Sequence, residues 1–131
     1  MRPVGDIDAA RRLHEDTIRR ARRILGEDHS YTLDAANFVV RDLLAAGETD
    51  AARQLAQDTH ARARRVLGDR GPMTITAANS LAIALGTLGN VDAARRLGEA
   101  TLAIALQLVQ IANADMPGYL GASRPSPDAG Q

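Results

Sequence analysis

The sequence predicts an all-α protein of stacked, antiparallel helix pairs, and three observations carry that prediction. The first is an internal repeat. Residues 5–46 laid over residues 47–88 share 19 identities without a gap, a period of 42 residues. The matches include Asp8/Asp50, Ala9-Ala10/Ala51-Ala52, Asp16-Thr17/Asp58-Thr59, Leu25-Gly26/Leu67-Gly68 and Ala35-Ala36-Asn37/Ala77-Ala78-Asn79. A third copy opens at Gly89, keeps Asp92, Ala93-Ala94, Arg95, Leu97 and Thr101 in register, and stops near Val109. The second observation is composition: 25 alanines stand against 15 leucines and only three aromatics, which suits closely packed helices. The third is periodicity. Leu81, Leu85 and Leu88 share one helical face, and no stretch alternates at period two between turns.

The elements follow in order. A helix over 6–25 starts at Asp6, a good cap behind Gly5, and stops at Gly26. The loop Gly26-Glu27-Asp28-His29-Ser30 leads into a helix over 31–46, with His29 expected to contact the helix start and Asp28 to favour its dipole. Gly47 ends that helix and Gly68 ends the next, over 49–67. Gly71-Pro72 opens a helix over 73–88, because proline suits a first turn. Gly89 stops it, and Asn90 caps the last helix, over 91–113. Glycines at 26, 47, 68 and 89 thus punctuate the helices. Residues 1–5 are read as a short N-terminal tail. Residues 114–131, rich in proline, glycine and serine, are read as a disordered C-terminal tail whose only sticky portion is Met116-Pro117-Gly118-Tyr119-Leu120.

Composition also excludes. The chain has 131 residues, the size of one domain, and 16 acidic residues cancel 16 basic ones, all arginine. That balance removes the simplest argument for nucleic acid or an anionic membrane. Zero cysteine rules out a disulfide scaffold and a cysteine nucleophile, and sets a cytoplasmic expectation. Met1-Arg2-Pro3-Val4-Gly5 has no apolar run behind it that would make a signal peptide.

The segments LGEDHSYTLDAANFVVRDLLAAGETDAARQLAQDT and LGDRGPMTITAANSLAIALGTLGNVDAARRLGEAT carry a resemblance to a known family. Two helices of this length, with Ala52 and Ala94 at fixed offsets behind a glycine, resemble the tetratricopeptide repeat in the 42-residue form seen in kinesin light chain and in many actinobacterial regulatory proteins. The resemblance spans roughly residues 5–110, and departs from the pattern at His14, Ala56 and Gly98, where larger residues are usual. It implies a right-handed solenoid in which each unit runs helix A then helix B. This chain starts on a B helix and reads B-A-B-A-B, about 2.5 repeats. Stacked units bury surface only against their neighbours, so a stack this short is expected to self-associate or to belong to a longer array.

The last helix points the same way. Where earlier B helices carry Arg20, Arg22, Arg62 and Arg64, it carries Ile104 and Leu106, then Leu108, Val109 and Ile111. These five residues are expected to form a homodimer interface, with a cap covered by the chain's own tail or a surface for another partner as the alternatives. The eleven apolar-rich residues 102–112 are too few to span a bilayer.

Candidate chemistry is sparse. The arginines of the first and third helices, from Arg11 to Arg65, could meet phosphates. However, Glu15 and Asp16 precede Arg19 and Arg20 by four residues and Asp58 precedes Arg62 likewise, the order that favours intrahelical pairs. No aromatic interleaves with them to stack bases, so no nucleic acid is expected. Histidines 14, 29 and 60 lack metal-ligand spacing, no serine sits in a nucleophile motif, and there is no lysine. No enzyme activity, cofactor or metal is expected.

What remains is the inner face of the A helices, which the resemblance implies is a groove for extended peptides. Transferred by position, it is lined by Asp34, Asn37, Arg41 and Leu44 and by Thr76, Asn79, Ile83 and Thr87. An asparagine amide can pair with any peptide bond, Arg41 with a carboxylate and Asp34 with a cation. The competing role for Asn37 and Asn79 is a hydrogen bond between neighbouring helices. The expected function is a non-catalytic protein- or peptide-binding module, a scaffold or regulatory adaptor. The alternatives are a homo-oligomerisation unit, a peptide-sensing regulator and, last, an arginine-mediated nucleic-acid binder.

Overall fold

The structure, a computed structural model, describes residues 4–115; the expectations for the remainder of both tails, including Met116-Pro117-Gly118-Tyr119-Leu120, lie outside the described residues. Five helices follow one another: α1 (Val4–Leu25), α2 (Ser30–Ala45), α3 (Thr49–Leu67), α4 (Pro72–Thr87) and α5 (Val91–Asp115). Among the described residues there is no strand. The bounds differ from expectation by one or two residues. Pro72 itself opens α4, α1 begins at Val4 with Asp6 inside its first turn, and α5 continues to Asp115.

The punctuation works as the glycine spacing implies. Gly47 and Gly89 take φ of +79° and +93°, and after each the chain folds back on the preceding helix. The amides of Glu48 and Asn90 donate to the carbonyls of Leu43 and Leu85 at 2.9 and 2.8 Å, which satisfies carbonyls the helix leaves open. His29 caps α2, its Nδ1 accepting from the Tyr31 amide at 3.0 Å.

Each helix packs on the next in sequence. The only further pair of helices whose backbones come close is α2 and α4; among the described residues the backbones of α1 and α3 stay apart, as do those of α3 and α5. The A helices therefore adjoin along one side while the B helices are held apart on the other, which curves the stack towards α2 and α4. The chain is a short all-α solenoid.

Alanine sets the spacing of these helices. Ala52, Ala56, Ala63, Ala77 and Ala84 are fully buried. The core joins Ile18 of α1, Ala35, Ala36, Val39, Val40 and Leu43 of α2, Ala52 and Ala56 of α3 and Leu81 of α4, with Leu55, Leu85 and Leu97 packed against it. A seam this tight has no room for a larger side chain. Ala56→Leu is expected to cost about 1–3 kcal/mol, read as a lowered urea midpoint.

Positions 18, 60 and 102 share one register, and the first two differ instructively. Ile18 lies in the core, while its counterpart His60 is a half-buried imidazole. Burial, and then the positive charge of Arg64, hold His60 below its ordinary value of 6.5, with Asp69 opposing them. The unfolded chain therefore binds this proton more readily than the folded one. Stability is full above about pH 6.5 and falls as the pH drops through that value. His60→Ile, which restores the residue of the sister repeat, is expected to flatten this fall in a series of melting temperatures between about pH 8 and about pH 5.

Candidate functional site

The two asparagines in register meet opposite fates. Asn37 is only 4% exposed, and its Nδ2 donates to the Met73 carbonyl of α4 at 3.3 Å. It joins neighbouring A helices and does not line an open groove; its Oδ1 has no partner. Asn79 occupies the same place one repeat later, where no third A helix follows in the described residues, and it is exposed. Leu44 likewise turns inward to pack on the core. Asp34 and Arg41 remain exposed on α2. On α4, Thr76 is half-buried and donates to the Pro72 carbonyl at 3.0 Å, whereas Thr87 is exposed and donates to the Ile83 carbonyl at 2.9 Å. Asn79 and Ile83, one turn apart, are both exposed. The eight expected lining residues thus divide. Asp34, Arg41, Asn79, Ile83 and Thr87 stand open, Thr76 is half-buried, and Asn37 and Leu44 are committed to packing.

The open row on α2 is Tyr31, Asp34, Phe38 and Arg41, spaced i, i+3, i+7 and i+10 along one face. Tyr31 and Phe38 are 56% and 42% exposed. The Phe38 ring stacks on His14 of α1 with centroids 5.4 Å apart, and the Arg41 guanidinium lies 5.7 Å from the same ring centroid. His14 is anchored in turn by Asp42, Nδ1 to Oδ2 at 2.5 Å. Between α1 and α2 runs a cleft of about 250 Å³ lined by Leu13, His14, Thr17, Tyr31, Asp34 and Phe38. A second hollow of about 340 Å³, which shares Leu13, Thr17 and Tyr31, extends it to Ile24 and Leu25. Among the described residues Asp34 makes no ion pair and no side-chain hydrogen bond. The cleft therefore offers aromatic and aliphatic walls beside an unspent carboxylate.

Sequence reasoning missed the aromatic part of this site, yet the repeat carries a signal for it. In register with Tyr31, Phe38 and His14 stand Met73, Ser80 and Ala56, and Ser80 and Ala56 are buried. Where α4 has both α2 and α3 on that side, small residues are required. Where α2 has only α1, bulky ones are tolerated. Large residues at positions that are small in the sister repeat mark a place where, among the described residues, a neighbouring helix is absent.

The outer arginines are spent. Arg12 and Arg23 apart, each arginine of α1 and α3 has an acidic partner among the described residues. Glu15 pairs back to Arg11 at 2.9 Å, not forward to Arg19 as its spacing suggested, and Arg11 also reaches Glu48 across to α3. Arg62 bridges Asp58, Glu27 and Asp28, while Arg65 adds a second bond to Asp28. The hydrogen bond from Arg62, with that from Arg65, holds the Asp28 carboxyl below its ordinary value, whereas Arg62 is raised by Asp58 and Asp28.

On α5 the expected association residues also divide. Leu106, Val109 and Ile111 are exposed, while Ile104 and Leu108 are half-buried. Leu102, outside the expected set, is 60% exposed. One correction concerns length. The apolar segment is part of a continuous helix, and Val91–Ala114 is long and apolar enough to cross a membrane by length and composition. Its first turns nevertheless carry Asp92, Arg95, Arg96 and Glu99, and α4 packs along it.

A curved stack of antiparallel helix pairs with an open face on its A helices defines, among the described residues, a helical-repeat solenoid. The particular family follows from sequence profiles: one described as tetratricopeptide repeat matches residues 31–107, and a second with the same description matches residues 4–31. The chain belongs to the tetratricopeptide repeat family. Repeats of this family generally mediate protein–protein interaction or scaffolding and are typically non-catalytic. No curated protein matches the chain.

Proposed function

We propose that the chain is a non-catalytic protein- or peptide-binding module, a scaffold or regulatory adaptor, that holds an extended segment along the open side of α2 and α4 and anchors it in the cleft beside α1. The observation that carries this reading is the row Tyr31, Asp34, Phe38 and Arg41, exposed where its α4 counterparts are smaller or covered. The rings supply rigid apolar area, and an apolar contact centre flanked by a carboxylate and a guanidinium is the usual build of an interface hot spot. Asn79 and Ile83 continue the face on α4. A peptide-sensing regulator would use the same surface. The absence of cysteine supports a reducing, cytoplasmic setting, and the 42-residue period supports the kinesin-light-chain-like and actinobacterial form of the repeat.

The sister repeat supplies the test. Phe38→Ser combined with Asp34→Thr installs the residues found at Ser80 and Thr76, which the fold already accommodates. Random peptides displayed on phage are selected on the native protein, and their binding is then followed by fluorescence polarisation. The double variant is expected to weaken the selected peptides by about tenfold or more, equivalent to about 1.4 kcal/mol. Selection without enrichment, or peptides that bind the variant equally well, would overturn the assignment.

A second reading, association with another copy, is favoured by the exposed apolar residues of α5. It is compatible with the first because the anchoring cleft beside α1 and the apolar half of α5 lie at opposite ends of the described stack.

A further inference from the structure

We propose that two copies of the chain pair through α5 about a two-fold axis passing beside Leu106, so that each α5 occupies the seat a following helix would take in the other copy. This rests on the self-association reading and gives it a geometry.

The register shows that, among the described residues, the seat beside α5 is empty. At positions 18, 60 and 102 the side chain passes from core in Ile18, through half-buried in His60, to 60% exposed in Leu102. The first two belong to B helices followed by an A helix, α2 and α4. No described helix follows α5. The helix stop is missing as well, since Gln110 stands where Gly26 and Gly68 end the earlier B helices. α5 accordingly runs for 25 residues against 19 in α3. The six extra residues carry it about 9 Å past the point at which the chain would otherwise turn back.

The charge pattern selects the occupant. Asp92, Arg95, Glu99, Leu102, Leu106 and Val109 form one row along α5, at spacings of three and four residues. The first half neutralises itself, with Arg95 3.8 Å from Asp92 and 3.6 Å from Glu99. The second half is apolar, with Leu106 54% and Val109 63% exposed. Among the described residues that half is left uncovered. Successive helices in the stack run antiparallel, so the missing neighbour of α5 must run antiparallel to it, and a two-fold related α5 does so. Centred on Leu106, this pairing sets Leu102 of one copy against Val109 of the other and leaves both charged halves in water. A membrane surface fits less well, because the polar residues beside the apolar row are Gln107, Gln110 and Asn113, with no arginine to meet anionic headgroups.

The chain has no cysteine, so introduced thiols report on this geometry alone. The full chain is examined by light scattering over about a hundredfold range of concentration, and a concentration-dependent dimer is expected. Leu106→Arg, which restores the residue found at Arg22 and Arg64, is expected to raise the dissociation constant at least tenfold with the helical circular dichroism signal unchanged. Under mild oxidation Leu106→Cys should link to itself, whereas Leu102→Cys should link to Val109→Cys in a mixture and poorly to itself. A protein that stays monomeric throughout, whether or not it binds anionic vesicles, overturns the self-association reading and this geometry together. A dimer that survives Leu106→Arg, or that links Leu102→Cys to itself as readily as to Val109→Cys, overturns the axis while leaving association in place.

Discussion

The close approach of helices across alanine seams is the constraint on which this structure depends. With Ala52, Ala56, Ala63, Ala77 and Ala84 fully buried, neighbouring helices meet at these points with only a methyl group between backbones, and the buried core holds aliphatic side chains and no aromatic ring among the described residues. Dispersion across such seams is small per atom and large in sum, and it favours straight, regular helices that repeat. Aromatic residues are displaced to places where a neighbour is missing. Phe38 and Tyr31 stand on α2, which has no A helix before it among the described residues, and His14 fills the space beside them. The packing rule of the core thus decides where recognition chemistry can be placed.

The same rule makes the two ends of the stack chemically different. At the α1 end the vacant seat is partly filled by the stacked His14–Phe38 pair, which leaves a cleft with aromatic walls and a carboxylate. At the α5 end no further helix follows among the described residues, and charged positions have become apolar. One end is shaped to receive a side chain or peptide, the other to be covered along its length. Between them the outer surface is neutral and self-paired, with Arg62 tying the loop before α2 to α3 through Glu27 and Asp28.

Much of the fold was legible because the repeat states it twice. The 42-residue period, the glycines and Gly71-Pro72 located all five helices to within a residue or two, since helix ends are determined by local backbone chemistry. The site was less legible for a physical reason. A transferred stripe such as 34, 37, 41 and 44 lies on one side of an isolated helix, but which half of it stays open depends on the neighbouring helix. Asn37 and Leu44 were drawn into packing by α4 and the core, whereas Asn79 was not. Leu102 was overlooked for the same reason, since among the described residues no helix follows α5 to cover it. The aromatic cleft could have been found from the sequence by asking where one repeat carries bulk that its sister lacks.

The central claim is that the presence or absence of a neighbouring helix, and not residue type, decides each side chain's role. Asn37 and Asn79 isolate it, being the same residue at the same register in the middle of A helices. The stabilities of Asn37→Ala and Asn79→Ala, measured by urea denaturation, test it most directly, because the helix-propensity gain of alanine is common to both and cancels. The account predicts that Asn37→Ala is less stable than Asn79→Ala by about 1 kcal/mol, the worth of one partly buried hydrogen bond. Equal stabilities, or a larger loss at Asn79, would contradict it.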